Sequence, residues 1–225
     1  MTGRRLPIES LRTTGTGKNQ RNDLKIDVII LTKNSERVLR KSLGSVYANV
    51  PIGNLIVVDG NSTDSTLEIL QEFHKRYGNL IVLQDKGTRA SARQKAIGCV
   101  KSDWFMFVDS DVVLCDDWFV KARKLMSDEV GAIWGIEIWS ILQRTKFLNL
   151  FERVTMKIFA RRGGTHDLLV RTKAVEDIAI PYHLHTYEDS YIKSWITKKV
   201  TRLFLYMTPI ACTIDLRTCG PRGKA

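Results

Sequence analysis

Asp109 and Asp111 stand two residues apart in the run Phe-Met-Phe-Val-Asp-Ser-Asp, residues 105–111. In an extended chain such neighbours share a face. Their carboxylates can therefore converge on one hard divalent cation, which takes oxygen ligands. An isolated Asp-Ser-Asp is usually a solvated turn. Here four apolar residues directly precede it and read as a buried strand delivering the triplet to a sheet edge. Asp59 and Asp85 also close apolar runs. Several carboxylates at one sheet edge suggest a site for a metal or a sugar. Lys86, Arg89 and Arg93 surround the third of these connections, where basic groups could meet an anionic ligand; for Arg89 a solvated helix face is a serious competitor. Glu188 and Asp189 form a late acidic pair. A carboxylate there can take a proton from a hydroxyl, or simply favour a helix N-terminus. His183 and His185 flank Leu184 and read as loop residues rather than metal ligands.

The elements that must position these groups alternate. Residues 26–32, 54–60, 79–85 and 103–111 are short apolar runs rich in β-branched or aromatic residues, each read as a strand. Between them, residues 36–48, the segment after Ser62 and residues 89–101 carry helical spacing. Ser65 and Glu68 have capping-box spacing. This pattern predicts an α/β fold, a Rossmann-like, mostly parallel mixed sheet with helices on both faces. Ligands then bind beyond the carboxyl ends of the strands. After Val130 the alternation stops. Residues 131–140 read as one strand with Trp134, Ile136 and Ile138 on one face, 143–162 as an amphipathic basic helix, 163–171 as a strand or strand-turn, and a further helix begins near Glu188. A late apolar segment covers 202–214.

With 225 residues, one full-sized domain fits, assigned to 25–217 between a polar basic tail (1–24) and a short basic C-terminal tail (218–225). The 35 Lys and Arg against 24 Asp and Glu give a net charge of +11, which favours anionic partners. Residues 144–162 alone hold six basic residues and one acid, so this helix can lie on an anionic bilayer or pack on the sheet with its Lys and Arg stems along the rim. No apolar run approaches the ~20 residues needed to span a bilayer, and the N-terminus lacks a signal-peptide core. The expectation is a cytoplasmic protein with peripheral contact to the inner membrane face. The cysteines Cys99, Cys115, Cys212 and Cys219 have no zinc-site spacing, and Cys99 and Cys115, in or beside apolar segments, read as buried thiols.

Four landmarks in order, IDVIILTKNSE, VVDGNSTDST, KGTRASARQKAIGCVKSDWFMFVDSD and GGTHDLLVRTKAV with YEDSYIKSW, resemble the family 2 glycosyltransferases of the GT-A fold. The resemblance covers most of residues 26–210 and implies an inverting transfer of sugar from a nucleoside-diphosphate sugar (UDP- or GDP-linked) to a glycan or lipid-linked acceptor. It implies Mg²⁺ or Mn²⁺ at Asp111, with Asp109 on the ribose or the metal shell, and Asp59 on the nucleotide base. Thr32, Lys86 and Arg93 would complete the donor site. Asp189 would be the catalytic base and Glu188 would orient the acceptor. Gln94 stands where the family usually has Asn. No His occupies the late position that supplies a third metal ligand in parts of this fold; Asp215 or water would replace it.

Two other functions compete. A nucleotidyltransferase of the same fold would carry a Gly-rich loop after the first strand, but residues 32–43 contain no glycine. A nucleic-acid-binding module would use the positive charge, but no RNP-type strand or helix-turn-helix signature is present. Clustered carboxylates would also repel phosphates without a cation. No nucleic-acid partner is expected.

Overall fold

Ile26–Thr32 forms β1. Its alternating side chains feed two cores, with Ile26, Val28 and Ile30 entering one and Ile29 the other. A strand buried on both faces must be apolar throughout, and this one nearly is. The computed structural model describes residues 24–137, 165–199 and 212–215. The basic helix expected at 143–162, the tails and most of the apolar segment 202–214 lie outside the described residues. α1 (Glu36–Asn49), β2 (Ile52–Asp59), α2 (Thr66–Tyr77), β3 (Leu80–Gln84), α3 (Arg89–Ile97), β4 (Trp104–Asp109), β5 (Val112–Val113) and α4 (Trp118–Arg123) follow in order. β6 (Ala132–Trp134), β7 (Ile136–Glu137), β8 (Asp167–Arg171), α5 (Glu188–Lys199) and β9 (Cys212–Asp215) complete the described elements.

The main sheet has six strands in the order β3-β2-β1-β4-β8-β6. The β3-β2, β2-β1 and β1-β4 pairs are parallel, whereas β8 runs antiparallel to both β4 and β6. The expected mostly parallel mixed sheet is therefore present. A smaller sheet joins β5, β9 and β7. Leu39, Leu43 and Val46 of α1, Ile69 and Leu70 of α2, and Trp118, Phe119 and Ala122 of α4 pack into the first core. Ala90, Ala96 and Ile97 of α3 and Ile192 and Ile196 of α5 pack into the second. The two cores place helices on both faces of the sheet.

Two local expectations change. The single strand expected over 131–140 breaks at Gly135, between β6 and β7. A Cβ at that position would lie 1.4 Å from Asp167 Oδ2, an oxygen that accepts the Trp118 indole N–H at 3.1 Å. Only glycine lets the chain pass so close to that buried carboxylate. The capping box at Ser65 and Glu68 is replaced by a longer-range exchange. Glu36 N–H donates to Asp64 Oδ2 at 3.2 Å, and Ser65 N–H donates to Glu36 Oε2 at 3.0 Å. The Thr66 N–H also goes to Asp64, at 3.1 Å. The N-termini of α1 and α2 thus cap one another.

The opposite end of the sheet is tied by Asp27, only 1% exposed. Its carboxylate accepts from the backbone N–H groups of Asn54, Lys101 and Ser102 and from the Asn54 amide. Burial pushes its carboxyl up, but these hydrogen bonds together outweigh burial and hold it below the usual 3.8. The ionised form is thus favoured by folding. Its contribution is complete above the unfolded value of 3.8 and is lost as pH falls through the lower folded value. Asp27→Asn is expected to cost about 1–3 kcal/mol at neutral pH, because an amide cannot accept all four donors. Urea denaturation at pH 7 and pH 3 checks this: the gap between the proteins should shrink in acid, and a constant gap would refute the role.

Candidate active site

β1, β2, β3 and β4 end at the same sheet edge, and their connections enclose a cavity of about 330 Å³. Thr32, Lys86, Arg93, Asp109, Ser110 and Asp111 all line it, so six residues from four separate segments of the sequence converge. Asp109 ends β4, and Ser110 and Asp111 turn toward β5. The turn is fixed at both sides: Asp109 N–H donates to the His166 carbonyl at 3.1 Å, and the hydroxyls of Ser110 and Ser35 lie 3.1 Å apart.

Arg93 is the charged group most enclosed here. It is 4% exposed and projects from α3. Nη2 lies 3.5 Å from Asp109 Oδ1, Nε lies 3.4 Å from Glu188 Oε1, and the guanidinium carbon stands 4.9 Å from the Phe107 ring centroid. A buried cation needs such partners, since an unpaired charge in the interior is costly. Glu188 is itself buried, whereas 40% of the Asp109 side chain remains exposed. Arg93 thereby joins the acidic triplet to the start of α5.

Asp59 is placed differently. It is fully buried and does not line the cavity. Oδ1 accepts the Thr32 hydroxyl at 3.0 Å and the Ser62 hydroxyl at 2.5 Å, and Oδ2 accepts the Ser62 N–H at 2.8 Å. Its carboxylate lies beneath the wall that Thr32 presents. Asp189, in the first turn of α5, is half-buried; its Oδ1 accepts the Ser190 N–H at 2.6 Å. Lys193, one turn further, is depressed below its usual value, chiefly by burial, while the Asp189 carboxylate pulls it back up. Asp189 is outside the cavity wall but adjacent in sequence to Glu188, and so to Arg93.

Carboxylate oxygens suit a hard divalent cation. Asp109 and Asp111 both line the cavity, with Lys86, Arg89 and Arg93 around it for anionic oxygens. The donor set fits Mg²⁺ or Mn²⁺. Among the described residues no cluster of three or more His, Cys, Asp or Glu side chains could hold a metal by itself, so further ligands would come from the bound molecule or from water. The strand register also sets Asp215 opposite Val112, one residue beyond Asp111.

Two positions carry more structure than their sequence signals suggest. Thr88 caps α3, its side chain accepting the Ser91 N–H at 3.2 Å, and its hydroxyl donates to the Tyr182 carbonyl at 2.8 Å. Gln94, legible in sequence only as a departure from the family's Asn, holds the Ile178 carbonyl at 3.1 Å and the Ile180 N–H at 2.8 Å. The readable hint was an uncharged amide side chain next to Arg93 in the middle of the helix.

Parallel strands that end on acids, with basic side chains around the same cavity, form a site suited to a cation together with an anionic ligand. The family model for glycosyl transferase family 2 matches residues 27–170, and the chain belongs to that family. Among curated relatives, the poly(ribitol-phosphate) beta-glucosyltransferase of Bacillus spizizenii is 32% identical over 124 residues, covering 50% of this chain and 20% of that protein. Among solved structures, S. aureus TarS 1-349 in complex with UDP-GlcNAc has a TM-score of 0.65 at 22% identity, covering 85% of this chain and 58% of that one. The mannosyltransferase PcManGT from Pyrobaculum calidifontis, in complex with GDP-Man and Mn²⁺, has a TM-score of 0.66 at 16% identity, covering 88% and 58%. These likenesses show the GT-A fold. The chain spans only about a fifth of the glucosyltransferase's length. No described helix is long and apolar enough to cross a membrane.

Proposed function

We propose that residues 25–217 form one catalytic domain that moves a sugar, with inversion, from a nucleoside-diphosphate sugar to a hydroxyl of a polyol-phosphate acceptor. The observation that carries this reading is the meeting of Asp109, Asp111, Lys86 and Arg93 at one cavity, with Arg93 joining it to the Glu188–Asp189 pair. Asp111 and Asp109 would hold Mg²⁺ or Mn²⁺, which supplies positive charge for the diphosphate oxygens as the donor bond breaks. Lys86 and Arg93 add fixed positive charge on the same side. Thr32, backed by Asp59, faces the nucleoside. Asp189 accepts the acceptor's proton as its oxygen bonds to C1, and the nucleoside diphosphate leaves from the opposite side. The acceptor class follows the name of the poly(ribitol-phosphate) relative and suits a chain of charge +11. The same charge supports peripheral contact with an anionic cytoplasmic membrane face.

Calorimetric titration of UDP-glucose, UDP-GlcNAc and GDP-mannose, each with and without Mn²⁺, tests the reading. One donor should bind in a metal-dependent manner, and the product's anomeric proton should show inverted configuration by NMR. Binding of no nucleotide sugar, or retained configuration, would reject it. Anionic and zwitterionic vesicles in parallel sedimentation runs test the membrane contact; equal binding to both would reject that part.

A further inference from the structure

α1 presents a row of polar side chains to the segment that follows β4. Ser42, Ser45 and Asn49 share one face of the helix, and Ser35 stands at its N-cap. Their partners spread along residues 109–117. The hydroxyls of Ser35 and Ser110 lie 3.1 Å apart, and the Ser42 hydroxyl donates to the Asp109 carbonyl at 3.4 Å. Leu114 N–H donates to Ser45 Oγ at 3.0 Å, and Asp117 N–H donates to Asn49 Oδ1 at 3.1 Å. The row is braced within the helix. Ser45 Oγ donates to the Ser42 carbonyl at 2.7 Å, and Asn49 Nδ2 donates to the Ser45 carbonyl at 2.9 Å.

Helix stability alone does not account for these residues. An N-cap serine ordinarily accepts an N–H of its own helix. Ser35 makes no such bond; its buried hydroxyl is turned to Ser110 and the Lys33 backbone. Ser42 is fully buried in mid-helix, where serine is a modest helix former and its hydroxyl needs a partner. The segment they hold carries both acids of the candidate cation site. It leaves the six-stranded sheet at Asp109, and β5, two residues long, pairs with β9 alone among the described strands. Two carboxylates side by side also repel each other until a cation joins them. Further along, Asp117 holds a left-handed φ of 62°, a conformation that the Asn49 bond helps to keep.

We propose that Ser35, Ser42, Ser45 and Asn49 are positioning residues for the cation, fixing the Asp109–Asp111 turn so that both carboxylates are presented before the metal arrives. Ser35 and Ser110 line the cavity, whereas Ser42, Ser45 and Asn49 lie outside the lining and act through the backbone of the turn. Groups that orient metal ligands set metal affinity alongside the ligands themselves. This inference rests on the glycosyltransferase reading above and adds the helix that tunes its cation.

Calorimetric Mn²⁺ titrations of the full chain test it, at fixed UDP-glucose, UDP-GlcNAc or GDP-mannose, whichever binds the wild type. Ser35→Ala and Ser110→Ala should each raise the Mn²⁺ needed for half-saturation about tenfold, the loss typical of groups that hold metal ligands. The double variant should be no worse than either single one, because all three lose the same contact. Ser45→Ala, remote from the cavity, should shift the requirement in the same direction, and Ser45→Thr, which keeps the hydroxyl, should restore it. Affinity for the nucleotide sugar without Mn²⁺ should stay at the wild-type level throughout, and thermal unfolding checks that each variant is folded. An unchanged Mn²⁺ requirement in Ser35→Ala and Ser45→Ala, or equal losses with and without Mn²⁺, would overturn the positioning role while the glycosyltransferase reading stands. Failure of that reading shows separately, as absence of nucleotide-sugar binding by the wild type.

Discussion

Asp189→Asn is expected to lower turnover by a factor of about 10²–10⁴ while leaving nucleotide-sugar affinity within about twofold of wild type. The two acids at the start of α5 are adjacent in sequence, but the fold treats them differently. Glu188 is buried and committed to Arg93 at 3.4 Å. It cannot meet an acceptor without leaving a buried guanidinium short of a partner. Asp189 is half-buried, sits in the first helical turn where the macrodipole favours its charge, and among the described residues accepts the Ser190 N–H on one oxygen. Asparagine keeps the size and that hydrogen bond, so it removes proton acceptance and little else. Steady-state rates at saturating donor and acceptor, with donor affinity measured separately, check the result. Wild-type turnover in the variant would take the base role away from Asp189. Glu188→Gln is the useful comparison: it perturbs Arg93 and therefore Asp109, so donor affinity should shift where Asp189→Asn leaves it alone.

Much of this site is legible in sequence because short-range rules suffice for it. Ile26–Thr32 and Trp104–Asp109 are short apolar runs that end on polar turns, and the ends of parallel strands must share an edge. Asp109 and Asp111, with Lys86 and Arg93 at the third connection, follow from that placement, Thr32 follows from the family resemblance, and all five line the cavity. The orientation of a strand-end carboxylate is another matter. Asp59 and Asp109 look alike in sequence, yet Asp59 turns inward because Ser62 and Thr32 supply three hydrogen bonds to it. Those partners come from two different turns, and no local pattern joins them. The capping of α2 is illegible for the same reason: Glu36, which caps Ser65, lies 29 residues away. The break at Gly135 depends on Asp167, whose strand lies antiparallel between β4 and β6, an order that hydrophobic periodicity does not encode. Gln94 was readable as an amide beside Arg93, but its role requires knowing that residues 178–180 cross α3. The chemistry-bearing types are thus visible early, and their hydrogen-bond partners emerge only with tertiary structure.

The second large effect is expected at Asp111. Asp111→Asn should weaken metal-dependent binding of the nucleotide sugar by roughly a hundredfold or more, since loss of a charged oxygen ligand removes both coordination and charge balance. Binding without metal should be nearly unaffected. Asp109 and Asp111 divide their work differently. Asp109 shares its Oδ1 with Arg93 at 3.5 Å, so part of its charge already serves the buried guanidinium. Asp111 lies past the end of β4, lines the cavity, and precedes the β5 strand that pairs with β9. A variant at Asp109 would disturb two things together, the cation site and the Arg93–Glu188 link toward Asp189. Mn²⁺ titrations by calorimetry, at fixed nucleotide sugar, separate the two cases. Asp111→Asn should raise the metal requirement alone, whereas Asp109→Asn should also weaken the metal-free interaction, because Arg93 then keeps only Glu188 of its two acidic partners. Retention of wild-type metal dependence by Asp111→Asn would remove the cation from this site, and with it the reason for the two acids at the end of β4.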